Sequence, residues 1–275
     1  MSVTIADIMG CLDEIAPFAM AESWDNVGLI VGDRSRAVKK ILLGLDPTNA
    51  LLEEAIACGA DTVVTHHPAI FTPIPAIDTA EVSGRFLETA LSGRVNVIAC
   101  HTNFDAVCRG VNDALAELLE LTDLEPLIPA EGDTGSNAGT GRIGRYAGAR
   151  TQSSFCHRLL QVLDVPSVQV AGRLPASITT VALCGGSGSE FAETAYRRGA
   201  DVYISAEIKH NVARWAEEAG FCIIDGTHYA TEKPAVHLLA ERLATYCTTH
   251  DWDLQVLETE TEHHPFTAVD KNSYR

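Results

Sequence analysis

A chain of 275 residues, 46% hydrophobic and 21% charged, has the composition of a soluble globular protein with one large domain or two ordinary ones. Twenty basic residues against thirty-seven acidic ones leave a formal charge of −17, which argues against nucleic acid or anionic lipid as a partner, since both need a basic surface. Eight cysteines with no C-x-x-C pair read as reduced, mostly buried thiols in a cytoplasmic protein.

Asp7, Asp13 and Glu14 precede the first basic residue, Arg34, so the early positive charge of a signal peptide is missing. No stretch approaches 18 uninterrupted apolar residues, and no membrane span is expected. Ile5, Ile8, Met9, Leu12 and Ile15 recur at helical spacing and predict an opening amphipathic helix. Val38–Leu45 reads as a strand, Leu51–Ala57 as a helix stopped by Gly59, and Asp61–Thr65 as a strand running into His66-His67-Pro68. A helix over Thr79–Leu91, a strand over Val95–Cys100 and a helix over Val111–Leu119 follow. This alternation predicts an α/β fold with mixed, largely parallel sheets and helices packed around them.

The stretch Glu131–Arg145 is rich in Gly, Ser, Asn and Thr and is expected to connect two halves. It contains Gly139-Thr-Gly141-Arg-Ile-Gly144, the letters of a dinucleotide-binding loop. That loop needs a strand before it and a helix after it, and the sequence offers neither, so the turn-rich connection is the reading kept. The expected organisation is a first α/β domain at 1–130, the connection at 131–145 and a second α/β domain at 146–275. Moved by 140 positions, Ile41–Asp61 falls on Val181–Asp201 without a gap, and Gly59-Ala60-Asp61 meets Gly199-Ala200-Asp201. A duplication would set two related halves about a pseudo-dyad with their carboxyl strand ends sharing a cleft, the usual place for ligands in α/β sheets.

Three segments carry imidazole and carboxylate groups just past expected strand ends: His66-His67, His101 to Asp105, and His228 with Glu232. The last pair is spaced i, i+4 and shares one helix face, so both side chains can reach one ion or two neighbouring ions. Imidazole with carboxylate suits zinc, iron or manganese, and the absence of any C-x-x-C pair argues against a structural thiolate zinc site. His263-His264, set among Glu260 and Glu262, reads as a solvated tail.

Glu22-Ser-Trp24-Asp25-Asn26-Val-Gly28-Leu, Thr65-His66-His67-Pro68, His101-Thr-Asn-Phe-Asp105, Gly141-Arg-Ile-Gly144, Ser205-Ala-Glu207-Ile-Lys-His210 and His228-Tyr-Ala-Thr-Glu232 occur in this order. Together they resemble the NGG-interacting-factor-three-like family, whose bacterial and archaeal members carry the label GTP cyclohydrolase type 2 homologue. The resemblance runs from about residue 4 to 267. It implies two related α/β domains, a dinuclear metal centre between them and a ring-shaped homohexamer. Carried over by motif, His67 and Asp105 would bind one ion and His66 and His228 the other, with Glu232 bridging. Ala206 departs from the glycine that members often carry there. His101, Glu207 and His210 are then the groups expected to orient water or move its proton in a metal-dependent hydrolysis. The substrate would be nucleotide-like or a phosphoester. The alternatives are a metal-handling protein and a protein-interaction module, neither with turnover.

Overall fold

The computed structural model describes residues 2–130, 135 and 137–269. The chain opens on α1 (Ile5–Ile15), β1 (Gly28–Val31), β2 (Lys40–Gly44), α2 (Asn49–Cys58), β3 (Thr62–Thr65), α3 (Val82–Ser92), β4 (Asn96–Ala99), α4 (Thr102–Ala106) and α5 (Val111–Leu118). It continues through β5 (Thr122–Pro129), β6 (Gly139–Thr151), α6 (Gln152–Leu163), β7 (Gln169–Ala171), β8 (Ser177–Ser187) and α7 (Ala192–Arg197). The remaining elements are β9 (Val202–Ala206), α8 (His210–Ala219), β10 (Cys222–Asp225), α9 (His228–Thr249) and β11 (Gln255–Glu258).

The opening helix shows how local sequence sets these bounds. Thr4 Oγ1 accepts from Asp7 N while Asp7 Oδ2 accepts from Thr4 N, a reciprocal cap that satisfies two N-terminal donors. Ile5, Ile8, Leu12 and Ile15 then face inward. The strands form two sheets, ordered β1-β4-β3-β2-β11 and β5-β6-β8-β9-β10-β7. The first is parallel except for β1. The second is more mixed than expected: β8, β9 and β10 run parallel, but β5, β6 and β7 join antiparallel. Apolar clusters lie on both faces of each sheet, as parallel strands require.

The 140-residue offset is a structural equivalence as well as a sequence one. In the β2–β3 ladder Ile41 faces Thr62 and Leu43 faces Val64; in the β8–β9 ladder Val181 faces Val202 and Leu183 faces Ile204. Asp61 Oδ2 accepts from the backbone N–H of Lys39 and Lys40, and Asp201 Oδ2 accepts from Thr179 and Thr180. Gly59 and Gly199 both take positive φ, 74° and 78°, where a side chain is disfavoured. The repeated Gly-Ala-Asp is therefore one turn used twice: glycine stops the helix and aspartate clips the preceding strand.

The expected 131–145 connection is corrected from residue 139 onward. Gly139–Arg145 belongs to β6, which pairs with β5 on one side and β8 on the other; positions 131–134 and 136 lie outside the described residues. Arg142, fully buried, meets Asp113 Oδ2 at 2.7 Å and donates to the carbonyls of Val107, Gly139 and Gly141. The glycine string thus packs as a strand around a buried arginine. The sheets also exchange segments across the expected partition. β5 precedes residue 130 yet joins the second sheet, and β11 returns to the first beside β2. Helix α9 spans both, with Ala230 in the core of the second sheet and Leu239 and Leu243 in that of the first.

Candidate metal centre

The site forms where the carboxyl ends of parallel strands from the two sheets converge. His66 and His67 directly follow β3, His101 sits just past β4 at the start of α4, and Asp105 lies in that helix. From the other half, α9 begins at His228 and presents Glu232 one turn later. Thr227 caps α9, its Oγ1 accepting from Ala230 N.

Four imidazoles share one arrangement. Nδ1 of His66 donates to the Cys100 carbonyl at 2.8 Å. Nδ1 of His67 meets Asp46 Oδ1 at 2.7 Å, that of His101 meets Asp25 Oδ1 at 2.9 Å, and that of His228 meets Glu207 Oε1 at 3.0 Å. With Nδ1 engaged by an acceptor, each ring turns Nε2 inward, the pattern in which outer carboxylates and carbonyls orient imidazole ligands. Nε2 of His67 lies 3.2 Å from Nε2 of His228, and both lie close to Glu232 Oε2, at 3.1 and 3.0 Å. Nε2 of His66 lies 3.6 Å from Asp105 Oδ1 and 3.8 Å from Glu232 Oε1. Two sets of side chains therefore bring ligand atoms within 4.8 Å of one another: His67, His228 and Glu232, and His66, His67 and His101.

The resemblance implies His67 with Asp105 on one ion and His66 with His228 on the other; in the structure His67 lies beside His228, and His66 beside Asp105. His101, expected only as a proton-transfer group, stands inside a ligand-atom set. Glu207 is committed to His228 Nδ1 and orients that ring. Its backbone takes φ +54°, the left-handed region. His210 is exposed at the first residue of α8 and does not line the cleft, so the structure does not bring it to the cluster. Sequence reasoning passed over Asp46 and the role of Asp25. Asp25 also accepts from Thr102 N and Oγ1, at 3.0 and 2.5 Å. Lone carboxylates 21 and 76 positions from their imidazoles leave no local spacing to read.

Electrostatics divide the two inner acids. Burial raises the Asp105 carboxyl, opposed by His66 and reinforced by the charge of Glu232. Burial also acts to raise Glu232, but the close imidazoles of His228, His66 and His67 hold it well below the usual range. The acids in turn raise the imidazoles of His66, His67 and His228 above their usual value. Burial acts against His67, yet Asp46 and Glu232 lift it to about 10, and Glu232 is the main cause that lifts His228 to about 9. Asp25 lies far below its usual value: burial opposes this, and His101 and Thr102 overcome it.

The donor set fits a cation. His66 Nε2, Asp105 Oδ1 and Glu232 Oε2 are buried without a hydrogen bond. Such groups are costly unless something completes them. Backbone conformation protects the space: Gly186, at φ +64° in the irregular end of β8, would place a Cβ 2.1 Å from Glu232 Oε1. The cluster floors a cleft of about 560 Å³, walled by Trp24, Phe71, Thr102, Ser187 and Phe191.

Fold and site together define a two-sheet α/β protein with a histidine–carboxylate cluster at facing strand ends. The Duf34/NIF3 (NGG1p interacting factor 3) family profile matches residues 3–265, and the chain belongs to that family. It is 32% identical over 267 residues to a Streptomyces coelicolor protein named GTP cyclohydrolase 1 type 2 homolog, covering 96% of this chain and 94% of that one. A Clostridium perfringens protein of the same name is 32% identical over 263 residues, with 96% and 98% covered. Among solved structures, Staphylococcus aureus protein SA1388 superposes with a TM-score of 0.90 at 28% identity, covering 97% and 99% of the two chains. A Bacillus cereus protein related to NIF3 gives 0.91 at 23% identity, covering 98% and 100%, a likeness of fold.

Proposed function

We propose that the chain is a cytoplasmic metal-dependent hydrolase whose cluster holds two divalent ions, zinc, iron or manganese, and acts on a nucleotide-like or phosphoester substrate. The observation that carries this reading is the set of four imidazoles, each with Nδ1 engaged and Nε2 turned toward two carboxylates that retain unsatisfied buried oxygens. His67, His228 and Glu232 Oε2 would hold one ion. His66, His101, Asp105 and Glu232 Oε1 would hold the other. Bound there, divalent ions would supply Lewis acidity to a substrate oxygen and acidify water at neutral pH.

The chain's own groups do the rest. Asp46, Asp25 and Glu207 fix three rings in position. Cys184 also lines the cleft, but burial pushes its thiol far up, which suits neither a thiolate ligand nor a nucleophile. The relatives' name supports hydrolysis, and the family resemblance alone supports a homohexamer as the working unit. The test is elemental analysis of the purified protein, then a phosphoester and nucleotide screen with and without chelator. About two divalent ions per chain and a turnover that chelation abolishes are expected. Ions without turnover on any substrate would favour metal handling instead, and the absence of ions would overturn the reading.

A further inference from the structure

The upper part of the cleft differs chemically from its floor. Trp24 and Phe71 are 56% and 50% exposed, although large aromatic side chains normally bury themselves. Their ring centroids lie 5.5 Å apart, and each lies 6.1 Å from the His101 ring, so together they form a ledge beside the ligand set. Phe191 lines the same cleft from the segment between β8 and α7. An aromatic ledge next to convergent polar groups is the composition of a small-molecule site, and the volume of about 560 Å³ suits a ligand of that size.

Charge narrows the class of ligand. Glu22, Asp105, Glu190 and Glu232 line the cleft, and no lysine or arginine does among the described residues. Those four carboxylates already match the charge of two divalent ions, and Asp25, Asp46 and Glu207 stand directly behind the imidazoles. A ligand with several negative charges would enter without a cationic side chain to meet it, whereas sites built for polyphosphates carry lysine or arginine for that purpose.

We propose, resting on the metal-centre reading above, that the cleft takes a planar ring compound carrying at most one negative charge. Its ring stacks on Trp24 and Phe71, and one polar atom points at the imidazole–carboxylate floor. This keeps the nucleotide-like ring and sets aside the triphosphate. The ledge supplies affinity without hydrogen-bond readout, because every planar ring has a π-face.

The experiment uses the full chain, zinc-loaded, with loading first verified by elemental analysis, so that failure of the metal reading shows itself before any ring is added. The four ribonucleosides and their 5′-mono- and triphosphates are titrated by calorimetry, with ribose 5-phosphate as the ring-free control. At least one nucleoside or monophosphate is expected to bind ten or more times tighter than its triphosphate and than ribose 5-phosphate. Trp24→Ala and Phe71→Ala, at half-exposed positions where folding is little affected, should each weaken that binding by about 5- to 150-fold, the range seen when a base–aromatic stack is lost. Glu22→Gln combined with Glu190→Gln should tighten the monophosphate. Triphosphates binding as well as nucleosides, binding left unchanged by both alanine substitutions, or no binding by any ring would overturn the proposal. So would a change in molar mass as the only effect of Trp24→Ala, since the ledge would then be a contact between copies of the chain.

Discussion

At the scale of single residues, Glu232 carries the most weight. It is almost fully buried, and its two oxygens face different imidazoles: Oε2 faces His67 and His228, and Oε1 faces His66. Glu232→Gln keeps the shape and removes the charge, so both ions should weaken together, by tenfold or more each. Elemental analysis after dialysis against a mild chelator reads this directly; full occupancy of either position would contradict the shared role. The protonation pattern adds a pH dependence with a definite sign. In the ion-free protein His67 and His228 hold protons up to about 10 and about 9. A metal ion needs neutral imidazole, so loading at pH 7 must expel those protons. Affinity should therefore rise with pH through the neutral range and level off above about 10. In weakly buffered solution at pH 7, zinc addition should release about two protons per chain from these rings; a release of none would mean that they do not ligate.

At the scale of elements, the C-terminal segment turns out to be a strap rather than a solvated tail. Glu262, 9% exposed, accepts from Leu45 N and Asp46 N at 2.9 and 2.8 Å and from Lys233 Nζ at 2.7 Å. It thus grips the backbone of the residue that orients His67 and the neighbour of Glu232 in one contact. His264 Nε2 meets Thr227 Oγ1, the cap of α9, and Glu54 anchors the strap through Thr259, Glu260 and Thr261. Glu262→Ala should lower the unfolding midpoint and also reduce the extra stabilisation conferred by zinc, because affinity for the ion falls with it. Thermal unfolding with and without zinc separates the two: an unchanged zinc increment would leave Glu262 with a purely structural role. The same comparison shows what a sequence can report. Strands β2, β3 and β4 and helices α1 and α2 were legible because apolar period and stop residues are local. The residues of the cluster were legible because each stands in a short motif just past a strand end. β6 was not, since its glycines serve close packing around Arg142, a contact made with Asp113 and Val107 far back in the chain. The pairing of β11 with β2 and the hold of Glu262 on Asp46 are equally non-local, and no spacing rule covers either.

At the scale of the whole molecule, the proposed homohexamer meets two opposing terms. Ile74, Ile77 and Val82 are 41%, 58% and 72% exposed within nine residues, between β3 and the start of α3. Exposed apolar groups gathered in this way mark contact surfaces, and covering them favours association by about 25 cal/mol per Å². Against this, each chain carries a formal charge of −17, so six chains in one particle repel one another strongly at low ionic strength. Salt screens that repulsion, with a Debye length falling from about 30 Å at 0.01 M to about 10 Å at 0.1 M, and leaves apolar burial untouched. Assembly should therefore strengthen with salt. Light scattering at micromolar concentration should give about six times 29.5 kDa at 0.3 M sodium chloride, with dissociation first detectable, if anywhere, near 0.01 M. Ile77→Asp together with Val82→Asp, both at exposed positions where folding is little affected, should shift the particle toward smaller mass if this segment is buried between chains. A monomer at every salt concentration would dispose of the hexamer. A hexamer unmoved by the double substitution would keep the assembly and place its contacts on another face.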